Sequence, residues 1–180
     1  MSRILLGLSG LNTIVLLGTF TVGFLSEGRA RVQPDSALTE AQRIFTLHLF
    51  GGLAAALLTL LLHSLVLTYF IGTGRWMQEV IKAYSLPATP WERSRALKIQ
   101  ALPYILGGIL SVILAAVLGA AADVGRIDRN YHLVIATVAV AFNFWSYVRE
   151  YRVVAENGDL ISGIMDDVKR IRTERGLGTG

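Results

Sequence analysis

The side chains best suited to chemistry in this 180-residue chain are its three histidines, His48, His63 and His132. From Ile44 to Gly74 the chain carries no charged residue. Within that stretch His48, Gly52, Ala56, Thr59 and His63 step by four, four, three and four. That spacing places them on one side of a helix. A second set, His132, Ala136, Ala139, Asn143 and Ser146, repeats the pattern downstream.

Two chemistries follow. Neutral imidazoles from two helices can ligate a haem iron from both sides. His48 and His132 would then be the axial pair of a b-type haem, with Arg43 and Arg129 available to its propionates. His63 has no histidine opposite, so a second, stacked haem lacks a ligand. Alternatively, Asn12, Thr59, His63 and Asn143 are buried polar packing residues. Such groups bond across helices in a membrane and contribute about 0.6 kcal/mol each on average. The sequence favours this second reading, which requires no cofactor.

The chain has no cysteine, so disulfides, thiolate metal sites, iron–sulfur clusters and a cysteine nucleophile are excluded. No nucleophile–base pair at interpretable spacing, HExxH, P-loop or Gly-rich dinucleotide fingerprint occurs, and the chain reads as a non-enzyme. All thirteen acidic residues fall outside the cores of the apolar runs. A coupled transporter usually keeps a carboxylate there, so a small-solute carrier lining a cavity with Asn12, Thr59, His63 and Asn143 ranks last. The net charge of +4 is not gathered into a basic stripe with interleaved aromatics, which speaks against nucleic acid.

The elements that must position these residues are plain. Hydrophobic residues make up 53% of the chain, blocked rather than periodic. Four runs, at about 4–25, 44–72, 99–122 and 131–148, approach or exceed the roughly 20 residues a helix needs to cross a bilayer. Lys and Arg residues divide twelve against five between the two sides when the N-terminus is placed inside. Both termini are therefore expected in the cytoplasm. Thr39 and Gln42 suggest a capping box before the second run, and Thr89 and Glu92 another before the third. Gly72-Thr73-Gly74 is expected to weaken the second helix, and Pro103 to kink the third. Asn157-Gly158-Asp159 reads as a break. After it, Ile161, Ile164, Val168 and Ile171 line one face of an amphipathic cytoplasmic helix. The glycine-rich end from Gly176 is expected to be disordered.

In the third run Gly107, Ser111, Ala115 and Gly119 recur every four residues. Such a row lets another backbone approach closely. The neighbour is expected within the chain ahead of a partner or second copy.

The segment His63-Ser64-Leu65-Val66-Leu67-Thr68-Tyr69-Phe70-Ile71-Gly72-Thr73-Gly74-Arg75-Trp76, with Glu79-Val80, resembles small bacterial integral membrane proteins of four helices. Phe142-Asn143 and Arg149-Glu150-Tyr151-Arg152 look similar too. The resemblance implies a bacterial inner-membrane location and no particular activity.

The expectation is an all-α integral membrane four-helix bundle spanning residues 1–150, followed by a cytoplasmic amphipathic helix and disordered end at 151–180. Its expected role is a non-enzymatic membrane subunit or scaffold with a protein partner or as a homo-oligomer. The alternative is a haem-b electron-transfer or quinone-adjacent anchor.

Overall fold

A computed structural model describes residues 1–29 and 36–176, without the side chains of 26–29 and 36–41. Four helices follow in order: α1 (Ser2–Arg29), α2 (Ser36–Tyr84), α3 (Thr89–Asp123) and α4 (Arg129–Glu174). There is no strand among the described residues. Each helix contains a stretch long and apolar enough to cross a membrane.

The outward faces carry large apolar side chains, among them Ile14, Phe50, Leu57, Leu110 and Phe144, each more than half exposed. The inward faces bury apolar side chains such as Leu62, Phe70 and Ile105 together with polar ones, including Asn12, Thr59, His63 and Asn143, all fully buried. Large apolar side chains over the outward faces depart from a bundle in water, which turns its apolar stripes inward. Neighbouring helices in the bundle are α1 with α2, α2 with α3, and α3 with α4; α1 also meets α4. The third-run row lies on α4: Gly107 meets the Phe142 ring and Gly119 meets His132. Ser111 accepts from Asn143.

The ends of α2 and α3 show how the turns are made. Ser85 adopts φ 54°, and Leu86 N–H bonds back to Ile81. After α3, Gly125 at φ 71° lets Arg126 N–H reach Ala121. Both are left-handed helix stops that satisfy otherwise orphaned carbonyls. Asp128 caps α4, accepting from the Asn130 N–H at 2.8 Å.

Several expected boundaries are corrected. The helix α2 begins at Ser36, so Thr39 lies inside it; its side chain is outside the described residues. Ala88, not Thr89, stands at the N-cap of α3, and no side chain caps that end. The helix α2 runs unbroken through Gly72-Thr73-Gly74, and α4 runs through Asn157-Gly158-Asp159. The reason at Asn157 is a better partner than its own backbone. Its Nδ2 donates to Tyr69 Oη at 3.1 Å and Thr73 Oγ1 at 3.2 Å. The glycine-rich end beyond Gly176 lies outside the described residues.

At about 1.5 Å per residue, α2 and α4 are each roughly 70 Å long, more than twice a bilayer's hydrocarbon core. Their C-terminal parts run on together. Met77, Ile164 and Val168 form a second core there, joined by Trp76, Trp91 and Ile161. The amphipathic face after Gly158 therefore continues α4 and packs on α2 and the following turn.

Candidate functional site

His48 sits on α2 and His132 on α4. The bundle brings their rings together, with centroids 6.1 Å apart and planes at 77°. Each ring is fixed from behind. His48 Nδ1 lies 3.0 Å from the Thr19 carbonyl of α1. His132 Nδ1 lies 3.0 Å from the Ala115 carbonyl of α3. A carbonyl only accepts, so each Nδ1 carries the proton, and each Nε2 keeps its lone pair. Metal-binding histidines are commonly held in this way.

The two supports are copies of one another. Thr19 precedes Gly23 by four residues, and Ala115 precedes Gly119 by four. A Cβ at Gly23 would fall 2.5 Å from His48 Cε1; one at Gly119 would fall 2.9 Å from His132 Cε1. In both cases a glycine lets the edge of the ring approach the neighbouring helix while the carbonyl one turn earlier accepts its Nδ1–H bond. The hairpin α1–α2 thus repeats in α3–α4, with His48 and His132 in equivalent places. Fifteen residues further along each helix, His63 and Tyr147 are again paired, with ring centroids 5.6 Å apart.

A cavity of about 570 Å³ opens at the two histidines and is walled by all four helices. That volume falls in the range of roughly 300–1,000 Å³ typical of small-molecule and cofactor sites. Its walls are mostly apolar, combining alanines such as Ala56, Ala116 and Ala136 with larger side chains such as Phe20, Phe45 and Leu133. Arg129 borders it, and so does Asp123. Arg43 is exposed, five residues before His48, and does not line the cavity.

Two neutral imidazoles in an apolar cavity suit a bare divalent cation poorly, since its charge would be left uncompensated. Among the described residues no three His, Asp or Glu side chains converge on a metal. A porphyrin brings four nitrogen donors and two negative charges of its own, so two protein ligands complete its iron. Metal–imidazole bonds of about 2.0 Å, plus about 1.1 Å from nitrogen to ring centre, separate two axial rings by about 6.2 Å. The observed spacing fits that arrangement.

Beneath the cavity the polar residues form two connected groups. Asn12 Nδ2 donates to Thr59 Oγ1 at 2.8 Å and to Tyr147 Oη at 2.6 Å. Thr59 donates in turn to the Ala55 carbonyl. In the second group Asn143 Nδ2 donates to the Ala139 carbonyl at 2.8 Å and Ser111 Oγ at 3.0 Å. That fixes its amide, so Oδ1 faces His63 Nε2 at 3.0 Å and Nε2 is the donor. His63 Nδ1 meets Glu150 Oε1 at 2.7 Å. Gly108 lies against this ring so closely that no Cβ fits between them.

The expectation that every carboxylate stays outside the bundle core is therefore wrong for Glu150, which is fully buried. Asn12, Thr59, His63 and Asn143 are all fully buried, and each has a side-chain hydrogen bond to another helix. Tyr147, Glu150, Gly23 and Gly108 complete the arrangement and were not singled out from sequence. Comparison with known protein families, with curated proteins and with solved structures finds no match to this chain.

Proposed function

We propose that this chain is a membrane-embedded b-type cytochrome module, holding one haem between His48 and His132 for one-electron transfer. The observation that carries this reading is the paired support of the two rings. Both Nδ1 atoms are committed to carbonyls, both Nε2 lone pairs are left for a ligand, and the rings stand one bis-imidazole iron apart. Polar packing alone accounts for the Nδ1 bonds. It does not account for an apolar cavity lined by both rings.

Four long apolar helices with oily outward faces support insertion in a bilayer, and the resemblance noted above points to a bacterial inner membrane. The distribution of Lys and Arg supports cytoplasmic termini. The haem then lies toward the outer surface, and the joined ends of α2 and α4 stand in the cytoplasm. Arg129 is placed to meet a propionate. A single haem needs a donor and an acceptor, so the expected setting is a subunit of an electron-transfer assembly. No substrate bond is made or broken by this chain. A hydrated solute fits the apolar walls less well than a macrocycle.

The test is an absorption spectrum of the full chain, expressed with ample haem and purified in mild detergent. A Soret band with a low-spin six-coordinate pattern is expected, and H48A and H132A should each abolish that pattern. A colourless, folded protein would overturn the proposal.

A further inference from the structure

Glu150 is the one fully buried acidic side chain among the described residues. Its Oε1 is occupied by His63, while its Oε2 is buried with no hydrogen-bond partner. Ser146 Oγ, one turn earlier on α4, is likewise buried and unpartnered. Buried polar atoms are nearly always satisfied, so an orphaned carboxyl oxygen in a dry core marks a place where a proton or water belongs. The geometry counts the protons already present. Nε2 of His63 holds one, and the bond from Nδ1 to Oε1 holds another. With those two the pair is neutral. Oε2 is the position left for one more.

We propose that the His63–Glu150 pair is a proton-binding site whose occupancy follows the oxidation state of a haem held by His48 and His132. This rests on the haem reading above. Reduction of such a haem by a one-electron donor would remove a positive charge from the cavity and raise the affinity of Glu150 Oε2 for a proton. A threefold rise in affinity adds at most about a quarter of a proton, taken from water, at Glu150 Oε2 per electron. An O–H bond forms there; no other bond in the protein forms or breaks.

The surroundings leave these charges little else to answer to. The buried cluster at this level takes Leu5 from α1, Val66 and Phe70 from α2, and Leu97 and Ile105 from α3, none of them titratable. From α4, Tyr147 is the titratable neighbour, and its Oη is bonded to Asn12. Arg149 is turned toward the Tyr104 ring, 5.4 Å from its centroid. Lys98 on α3 is half-buried, and Arg152, two residues after Glu150 on α4, is exposed.

Fifteen residues of helix separate His48 from His63, or about 22 Å along the bundle. At that distance and an effective dielectric constant of about 20, one charge alters the affinity for another about threefold. Linkage makes the effect reciprocal. For a one-electron couple, threefold is roughly 30 mV, since tenfold is about 59 mV.

The experiment is a potentiometric titration of the haem-loaded full chain, through mediators, from about pH 5 to about pH 8. The midpoint should fall as pH rises, by at most roughly 30 mV in all, because protons favour the reduced state. E150Q, which keeps a hydrogen bond to His63, should bind haem and show no fall. E79Q, on the exposed side of α2, should keep it. If E150Q does not accumulate, the reduced-minus-oxidised infrared spectrum of the unmodified protein decides instead: a protonated carboxyl band must appear on reduction and shift in deuterium oxide. A Soret band with a pH-independent midpoint, an equal fall in E150Q, or no carboxyl band overturns this inference and leaves the haem reading standing. Absence of the Soret band overturns both.

Discussion

Gly23 faces the edge of the His48 ring so closely that a methyl group there would fall 2.5 Å from Cε1. Gly119 holds the same relation to His132, at 2.9 Å. Each ring is pinned on that side by its bond to a helix carbonyl, so neither can retreat without losing the bond that fixes its tautomer. G23A and G119A are therefore expected to weaken haem binding by about tenfold or more, the usual size of effects on residues supporting metal ligands. Gly18, with open space around it, serves as the control, and G18A should bind as the unmodified protein does. Titration of haem into apoprotein measures all three. Undiminished affinity in G23A would sink the idea that glycine is there to seat the ring.

The second prediction concerns the buried pair. H63A removes the partner of a fully buried carboxyl group and also strands Asn143 Oδ1. Loss of one member of a buried pair costs about 3–5 kcal/mol, because the other is left uncompensated. H63A and E150A should each fall at or near that cost, while the double variant costs clearly less than their sum. Unfolding in mixed detergent, followed by helix content, gives the cycle. Additive losses would mean that the two side chains do not interact.

These residues also show what could be read in advance. His48 and His132 were legible because two histidines with small residues at steps of four define a face without knowledge of its neighbour. Their supports are legible only in part: Ala115 and Gly119 belong to the small-residue row of the third run, whereas nothing in the sequence marks Gly23. Gly23 and Gly119 acquire meaning only when α1 is known to lie on α2 and α3 on α4, and nothing local encodes that pairing. Glu150 was hidden for a different reason. Trp145, Tyr147 and Arg149 look like the edge of a membrane span, so the next acidic residue was assigned to water. The helix continues instead, and Asn143, Ser146, Tyr147, Glu150 and Asn157 keep a single buried face through that charged stretch. The break expected at Gly72 failed similarly, because propensity at two glycines is outweighed by packing along all of α2.

Glycines in these helices should accordingly respond in opposite directions. Gly108 is buried against His63, where a Cβ would overlap the ring nitrogen and displace a side chain bonded on both sides. G108A is expected to destabilise by about 3 kcal/mol, the upper end for overpacking. Gly72 and Gly74 have open space and lie in uninterrupted helix. G72A and G74A should each stabilise by up to about 1 kcal/mol. The same detergent unfolding assay compares them, and a stabilised G108A would show that the ring is not confined as described.

The joined ends of α2 and α4 should behave as a unit separable from the haem end. Met77 and Ile164 are almost wholly buried there, against Trp76, Trp91 and Val168. Beyond Asn157, α4 leans on the end of α2, the turn after it and Trp91 at the start of α3. I164A removes the central contact and should cost about 2–3 kcal/mol, toward the low end for such truncations because the site lies near solvent. The loss is local. Amide exchange across residues 159–174 is expected to speed by about thirtyfold, the factor that about 2 kcal/mol gives. Exchange around His48 and His132, and the haem spectrum, should not change. Hydrogen-exchange mass spectrometry reads both regions in one experiment. Equal acceleration in the two regions would mean that the extension and the bundle open together, as one cooperative structure.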